Sequence, residues 1–381
     1  MKKTNLLIFT LSTSLMLTAC FGGKSKDKGT KVDLTTEEGK AVLKDRANLV
    51  VKAYDKEFTG YGFETEVKNV ALTAKGSFVT VDYNENQLNG NLDASLTNFG
   101  FKVNGGIVKD GEDVKGQLSL KDLGFDLSAK GSIPVDSETN FKLDNSLSVK
   151  KVGVDVYLAD SNVYVDYSSK ENKTAIDNVS KVVNKVLEAN GINMSLDLNT
   201  MLDSATGVSA RKIAIQDAVE IPTEIFTPMA EAEFEEIDDE TINQVAEYFN
   251  QFDFLSFVTF KDGRFGVELN ADKEDLVNVV NLLAGDSGAM VTTLINQMVT
   301  KFDLSAGVYF TKAGLLDSTK LSFDFGATAR NLQFSEDFTL TSLDATFKGE
   351  MATSFLYDSK VKVSLPSSSE LAKYVVINEA R

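Results

Sequence analysis

Between Gly62 and Tyr167 the apolar residues recur at every second position, as in Val79, Val81 and Tyr83, Phe99, Phe101 and Val103, Leu118 and Leu120, Phe125 and Leu127, and Val152, Val154, Val156 and Leu158. A period of two predicts strands with one apolar face. Asp110-Gly111 and Asp160-Ser161-Asn162 sit where hairpins turn, and the gaps are too short for crossover helices, so the strands are expected to be antiparallel. A period near 3.6 predicts helices elsewhere. The first opens at Thr35-Thr36-Glu37-Glu38, with acids at its positive end, and runs to about Lys56 through Val42, Leu43, Leu49, Val50, Ala53 and Tyr54. A second starts at a capping-box-like Thr174 and Asp177 and stops at Gly191; a third carries Ile242, Val245, Ala246 and Phe249 inward. Phe257 to Leu269 reads as a hairpin around Lys261-Asp262-Gly263-Arg264, followed by helices from Asp272 and from about Gly288 to Lys301. Four alternating stretches close the chain, near Leu304 to Phe310, Leu321 to Ala327, Phe338 to Phe347 and Phe355 to Leu365.

The order strands, helix, strands, helices, strands is α+β. The simplest architecture is a long curved antiparallel sheet with several amphipathic helices on one face. Polar alternates such as Ser322, Asp324, Asp344 and Lys348 allow the other face to stay wet. Residues 35–192 would form one helix, the first strands and a second helix. Residues 193–240, with two of the four prolines and mixed periodicity, read as a connector or lid, and residues 241–381 would complete the same sheet.

At the N-terminus a positive Met1-Lys2-Lys3 precedes an apolar run from Leu6 to Ala19, the pattern of a secretory signal too short to span a bilayer comfortably. Residues 1–19 are therefore expected to be removed. The sequence Leu17-Thr18-Ala19-Cys20 resembles the lipobox of bacterial lipoproteins, in which the cysteine thiol is diacylglycerated and becomes the first residue of the mature chain. That resemblance implies a lipid on Cys20, the chain's single cysteine, and membrane attachment through it. The alternative is a plain secretory signal, which leaves an exported thiol unexplained. Residues 20–34, rich in small and cationic side chains, read as a flexible tether. Phe21 is not Asp, so resemblance to known sorting rules implies the outer membrane in a two-membrane cell, and otherwise the outer face of the plasma membrane.

The signal, the hairpins at Val156 to Asp166 and Phe257 to Leu269 that each run into an amphipathic helix, and the strand-rich remainder together resemble the LolA-like and LppX-like half-barrels of bacterial envelope lipoproteins. The resemblance covers most of the expected mature chain. It implies a half-barrel that binds lipids or acylated proteins between sheet and helices.

Composition narrows the chemistry. A net charge of −17 disfavours nucleic acid and contact of the folded body with anionic lipid heads. The absence of histidine removes the commonest general base and zinc ligand, and with Cys20 acylated no thiolate remains. Glu231, Glu233, Glu235, Glu236, Asp238, Asp239 and Glu240 fit no EF-hand spacing and abut a helix start, where acids are favoured in any case. Ser148-Val149-Lys150-Lys151 has the spacing of a serine-lysine site but lies on a predicted strand, where i and i+3 face opposite sides. Sugar-cleaving carboxylate pairs are weighed against by the lack of tryptophan. No catalytic residue, metal or cofactor is assigned. With 25 Phe, 10 Tyr and no Trp, phenylalanine is the suggestive side chain, since it lines an apolar groove without needing a hydrogen-bond partner. The candidate ligand-binding residues are Phe252, Phe254, Phe257, Leu294, Met298, Leu321 and Phe323. The expected function is a non-enzymatic, lipid-anchored protein that binds a lipid or other hydrophobic molecule. The alternative is a structural or adhesive surface lipoprotein acting through protein contacts.

Overall fold

The computed structural model describes residues 29–53, 57–82, 84–111, 113–135, 138–206, 211–216, 218, 226, 236–284 and 288–377. The leader, Cys20, residues 21–28 of the expected tether, Tyr54 to Lys56, Tyr83 and Glu231, Glu233 and Glu235 lie outside the described residues. The rest of the expected tether is folded: Thr30 and Lys31 pair with β8, and Leu34 is buried in the core. In chain order the elements are β1 (Thr30–Lys31), α1 (Glu37–Ala53), β2 (Gly60–Val81), β3 (Gln87–Asp110), β4 (Asp113–Pro134), β5 (Asn140–Ala159), β6 (Asn162–Asp166), α2 (Lys170–Ala189), α3 (Leu198–Thr206) and β7 (Lys212–Ile215). There follow α4 (Asp239–Gln251), β8 (Leu255–Thr259), β9 (Phe265–Asp272), α5 (Lys273–Ala284), α6 (Gly288–Met298), β10 (Val299–Phe310), β11 (Leu316–Ser335), β12 (Phe338–Tyr357), a 3-10 turn (Asp358–Lys360), α7 (Ser368–Leu371) and β13 (Val375–Val376).

The strands form one open, curved sheet in the order β1-β8-β9-β10-β11-β12-β2-β3-β4-β5-β6-β7-β13, antiparallel except for β7 with β13. The fold is α+β. Residues 193–240, expected as a connector or lid, supply α3 and the sheet strand β7; four residues of Lys-Ile-Ala-Ile are too short a run for alternation to announce them. The 20-residue β12 takes in the expected stretch Phe338 to Phe347 and the first three residues of the stretch expected from Phe355 to Leu365, the rest of which is a 3-10 turn and an irregular segment; β10 begins at Val299, two residues before the expected end of α6. Helix α2 begins four residues earlier than expected because Ser169 is its N-cap, its Oγ accepting from Asn172 N at 3.1 Å. Gly191, with φ of +73°, terminates it as expected.

Strands β2 to β5 run 20 to 24 residues, roughly 65 to 80 Å at the usual rise. Each bends at one place. Val67-Lys68-Asn69-Val70-Ala71-Leu72, Leu96-Thr97-Asn98-Phe99-Gly100-Phe101, Leu120-Lys121-Asp122-Leu123-Gly124-Phe125 and Val149-Lys150-Lys151-Val152-Gly153-Val154 are four copies of one hexad. The third residue of every copy is left-handed, with φ of 57°, 54°, 56° and 58° at Asn69, Asn98, Asp122 and Lys151. Asn and Asp tolerate that region best among non-glycine residues. The hexads lie side by side as opposed β-bulges: Lys68-Asn69 faces Gly100, Lys121-Asp122 faces Gly153, and Lys150-Lys151 faces Gly124. A Cβ on Gly100 or Gly153 would stand 2.8 Å from the carbonyl oxygen of Val67 or Leu120, so glycine is what lets the backbones close. The result is a line of bulges across the sheet, which adds twist and divides the long strands into two halves.

Helices pack at the sheet's two sides. Leu43 of α1 and Ile242, Val245 and Ala246 of α4 bury against Phe257, Phe265 and Val267. The described acids beside α4 serve that contact: Asp238 caps α4 through Thr241 N at 2.8 Å, Glu236 pairs with Lys52 at 2.9 Å, and Asp239 with Lys44. On the other side, the half of β5 before Gly153 has no further strand beside it among the described residues, and α2 covers that edge. The carbonyls of Asp144, Ser148 and Gly153 accept from Lys185, Asn178 and Asn172. An edge that could template aggregation is thereby closed by side chains.

The C-terminal segment straps the polar face at one end of the sheet. Val361 sits on Gly60, Gly62 and Gly106, and Ser364 N donates to Gln117 Oε1 at 3.0 Å. Tyr374 packs edge-on to Tyr164 with ring centroids 5.5 Å apart, and Lys212 Nζ lies 5.2 Å above its ring. Burial, and then the neighbouring Asp166 carboxylate, push the Tyr374 hydroxyl above its ordinary value. Asp166 itself is shifted the other way: burial raises it, but Lys212 at 2.7 Å and the hydroxyl and amide of Ser168 outweigh burial and hold its carboxyl below the usual range. A depressed carboxylate contributes stability above its unfolded value of about 3.9 and loses it as pH falls through the lower folded value. Asp166→Asn is expected to lower stability by about 1–2 kcal/mol at pH 7 and to flatten the loss seen below about pH 4. Chemical denaturation from pH 7 to pH 2.5 measures both; an unchanged acid limb in the variant refutes the assignment.

Candidate functional site

Strict alternation on either side of the bulge line gives the sheet one apolar and one polar face. On the polar face Lys75 faces Asp93 at 3.9 Å, Lys102 faces Glu66 at 3.5 Å, Lys301 faces Asp324 at 2.6 Å and Arg330 faces Asp344 at 2.7 Å, cross-strand pairs that leave this side wet. Hydrogen bonding to Asp324 raises the Lys301 ammonium, and Arg330 first, then Thr328, lower the Asp344 carboxyl. Near the bulge line this face dips into a polar groove of about 870 Å³, lined among others by Asn69, Asn98, Asp303, Lys348 and Glu350.

The apolar face is ordered in rows that run straight across the strands. One row is Phe302, Phe325, Phe347, Leu72, Leu96, Leu127 and Leu147, each the register partner of the next from β10 to β5. The next is Ala327, Ala345, Ala74, Ala94, Ala129 and Asn145, and the one after it Ala329, Leu343, Gly76, Leu92, Gly131 and Leu143. The main helix contacts with the sheet fall on β5 and on β8–β11. Between them this face is open: Phe347, Leu72 and Leu127 are 40%, 43% and 41% exposed, and Ile133, Val135 and Phe338 are exposed further along. Five strand spacings by about four rows span an apolar footprint on the order of 500 Å², the size of the largest patch on a typical soluble protein, which is often a functional one.

Across the bulge line the same face continues into a trough of about 450 Å³. Gly105 and Gly116 form its floor, and Phe63, Ile107, Leu118, Val156, Leu158 and Phe355 contribute to its walls. At its end Tyr61 stacks on the fully buried Phe226 at 5.9 Å and touches Phe58 at 5.0 Å.

The candidate residues read from sequence are dispersed. Phe257 is in the core beneath α1 and α4, and Leu321 and Phe323, 0% and 7% exposed, form a second core cluster with Ala306. Phe252 and Phe254 touch each other at 5.1 Å, Leu294 is exposed on α6, and Met298 ends that helix. Of the seven, Phe323 alone borders one of the described cavities, and that cavity is the polar groove. The residues that form the open apolar face, such as Leu72, Ala94, Leu127 and Phe347, were missed. Their one signal in sequence is the hexad, which aligns β2 to β5 but not β10 to β12. Tyr309, buried and donating to Glu268 at 2.9 Å, is pushed up by burial and then by that carboxylate, and it belongs to the polar packing between β9 and β10.

In comparisons with known proteins, no family model matches the chain and no curated protein matches it in sequence. No helix among the described residues is long and apolar enough to cross a membrane.

Proposed function

We propose that this protein is a lipid-anchored, non-enzymatic binder of a lipid or other hydrophobic molecule, which it holds against the open apolar face of its sheet, outside the cytosol. The observation that carries the reading is that face: rows of leucine, phenylalanine and alanine in register across six strands, exposed at the centre and continuous with an apolar trough. Burying it is worth roughly 25 cal/mol per Å², a strong drive toward an apolar occupant. The curved sheet acts as a half-barrel with helices at its rims, and the acyl chains on Cys20 fasten it to a membrane. The likeness of residues 17–20 to a lipobox supports that anchor, and two or more chains hold durably where one does not.

Two measurements test the reading. Metabolic labelling with an alkyne-bearing fatty acid is expected to mark the wild-type chain and not Cys20→Ser. Native mass spectrometry of protein produced without residues 1–20 is expected to show bound lipid that Leu72→Asp with Leu127→Asp abolishes while the fold persists. A lipid-free wild-type spectrum that stays lipid-free after incubation with mixed phospholipid vesicles overturns the binding reading and favours the structural or adhesive one.

A further inference from the structure

The alanine row is narrower than a general greasy surface requires. Ala327, Ala345, Ala74, Ala94 and Ala129 occupy five adjacent strands at one level, with the leucine and phenylalanine row as a ridge on one side. On the other side Leu343, Leu92 and Leu143 alternate with Gly76 and Gly131. Small side chains between larger ones make a shallow channel perpendicular to the strands. From Ala327 to Asn145 it spans five strand spacings, about 24 Å. With bonds of about 1.5 Å and angles of about 111°, an all-trans hydrocarbon advances about 1.25 Å per carbon, so a chain of about sixteen to eighteen carbons reaches about 20 Å.

The two ends differ. At the β11 end the row finishes on alanine. At the β5 end it finishes on Asn145, whose Oδ1 is buried and whose Nδ2 makes no hydrogen bond among the described residues and is left free to donate. One residue away Lys185 of α2 donates to the Asp144 carbonyl at 3.0 Å and has no carboxylate partner among the described residues. A polar amide and an unneutralised ammonium at one end of an apolar channel are complementary to an anionic head.

We infer that the alanine row seats one extended long-chain fatty acid, its methyl end toward β11 and its carboxylate at Asn145 and Lys185. This placement rests on the apolar-face reading above and fixes the class, length and direction of the occupant. Asn145 donates its Nδ2 hydrogens to the carboxylate, and Lys185 supplies the countercharge. Because one side of the chain faces water, each methylene contributes a part of its full transfer value, so affinity rises about two- to fourfold per carbon.

Displacement of a fluorescent fatty acid by saturated acids of 10 to 20 carbons, measured on protein lacking residues 1–20, tests the channel. Affinity is expected to climb with length and level off near 18 carbons. Ala94→Phe, which fills the middle of the row on an exposed strand face, is expected to weaken a 16-carbon acid at least tenfold with an unchanged melting temperature. Lys185→Gln is expected to erase the preference of wild type for that acid over its methyl ester. Fatty acid that binds with the same affinity to Ala94→Phe, or an acid preference that survives Lys185→Gln, overturns the placement and leaves the apolar-face reading standing. Failure of every acid and of phospholipid to bind overturns both.

Discussion

Gly100→Ala and Gly153→Ala are each expected to cost about 1–3 kcal/mol, the usual price of forcing atoms into a filled site, and Gly124→Ala less. The ordering follows from the backbones: a Cβ at Gly100 or Gly153 meets a neighbouring strand's carbonyl oxygen at 2.8 Å, whereas at Gly124 the nearest, Val149 O, is at 3.2 Å. A carbonyl held in a sheet cannot rotate away as a side chain can. The three sites lie on adjacent strands and share the same line of bulges, so their effects are not additive. The triple variant is expected to lose the line altogether and to fail to form the native sheet. The left-handed residues give the opposite sign. Lys151 holds φ of 58° without the local advantage of Asn or Asp, so Lys151→Asn is expected to stabilise by a few tenths of a kcal/mol up to about 1. Urea unfolding followed by circular dichroism ranks all of these. Equal costs at the three glycines refute the close approach as the cause.

That line of bulges also explains what the sequence made legible. Alternation identified the strands between Gly62 and Tyr167, and Asp110-Gly111 and Asp160-Ser161 mark hairpins in the structure, with positive φ at Gly111, Asp160 and Ser161. It divided single strands into pieces, however. Leu118 and Leu120 stand on even positions and Phe125 and Leu127 on odd ones, although all four belong to one face of β4. The left-handed Asp122 inserts one residue and shifts the phase, so a strict period of two reads a bend as a break. The same limit hid the site. Register is a relation between strands, and the alanine row exists only once six strands are aligned. Within any one strand Ala94 is a small residue between Asp93 and Ser95. Phenylalanine content pointed to an apolar surface but not to its side of the core. Phe257 and Phe323 have the same alternation as Phe347, and what separates them is cover: the first two are under 10% exposed and Phe347 is 40% exposed.

Leu321→Ala is expected to destabilise the protein by about 2–5 kcal/mol, whereas Leu127→Ala, on the same face of the same sheet, is expected to cost under about 1 kcal/mol and to fall mainly on ligand affinity. Leu321 is fully buried, pairs across β10 and β12 with Ala306 and Met351, and packs with Phe323 and Leu304. Truncation there removes a methine and two methyl groups from contact and leaves a void walled by rigid strands, the situation in which relaxation recovers least. Leu127 has water over two-fifths of its surface, with Leu96 and Leu147 as its register partners, so its truncation opens no closed cavity. If the open face holds a hydrocarbon, the missing isopropyl group is missed by the ligand. Paired measurement of unfolding free energy and lipid affinity on the two variants separates core from site. A Leu127→Ala protein as unstable as Leu321→Ala would mean that this face is covered in solution by the protein itself, and the apolar rows would then be interior packing.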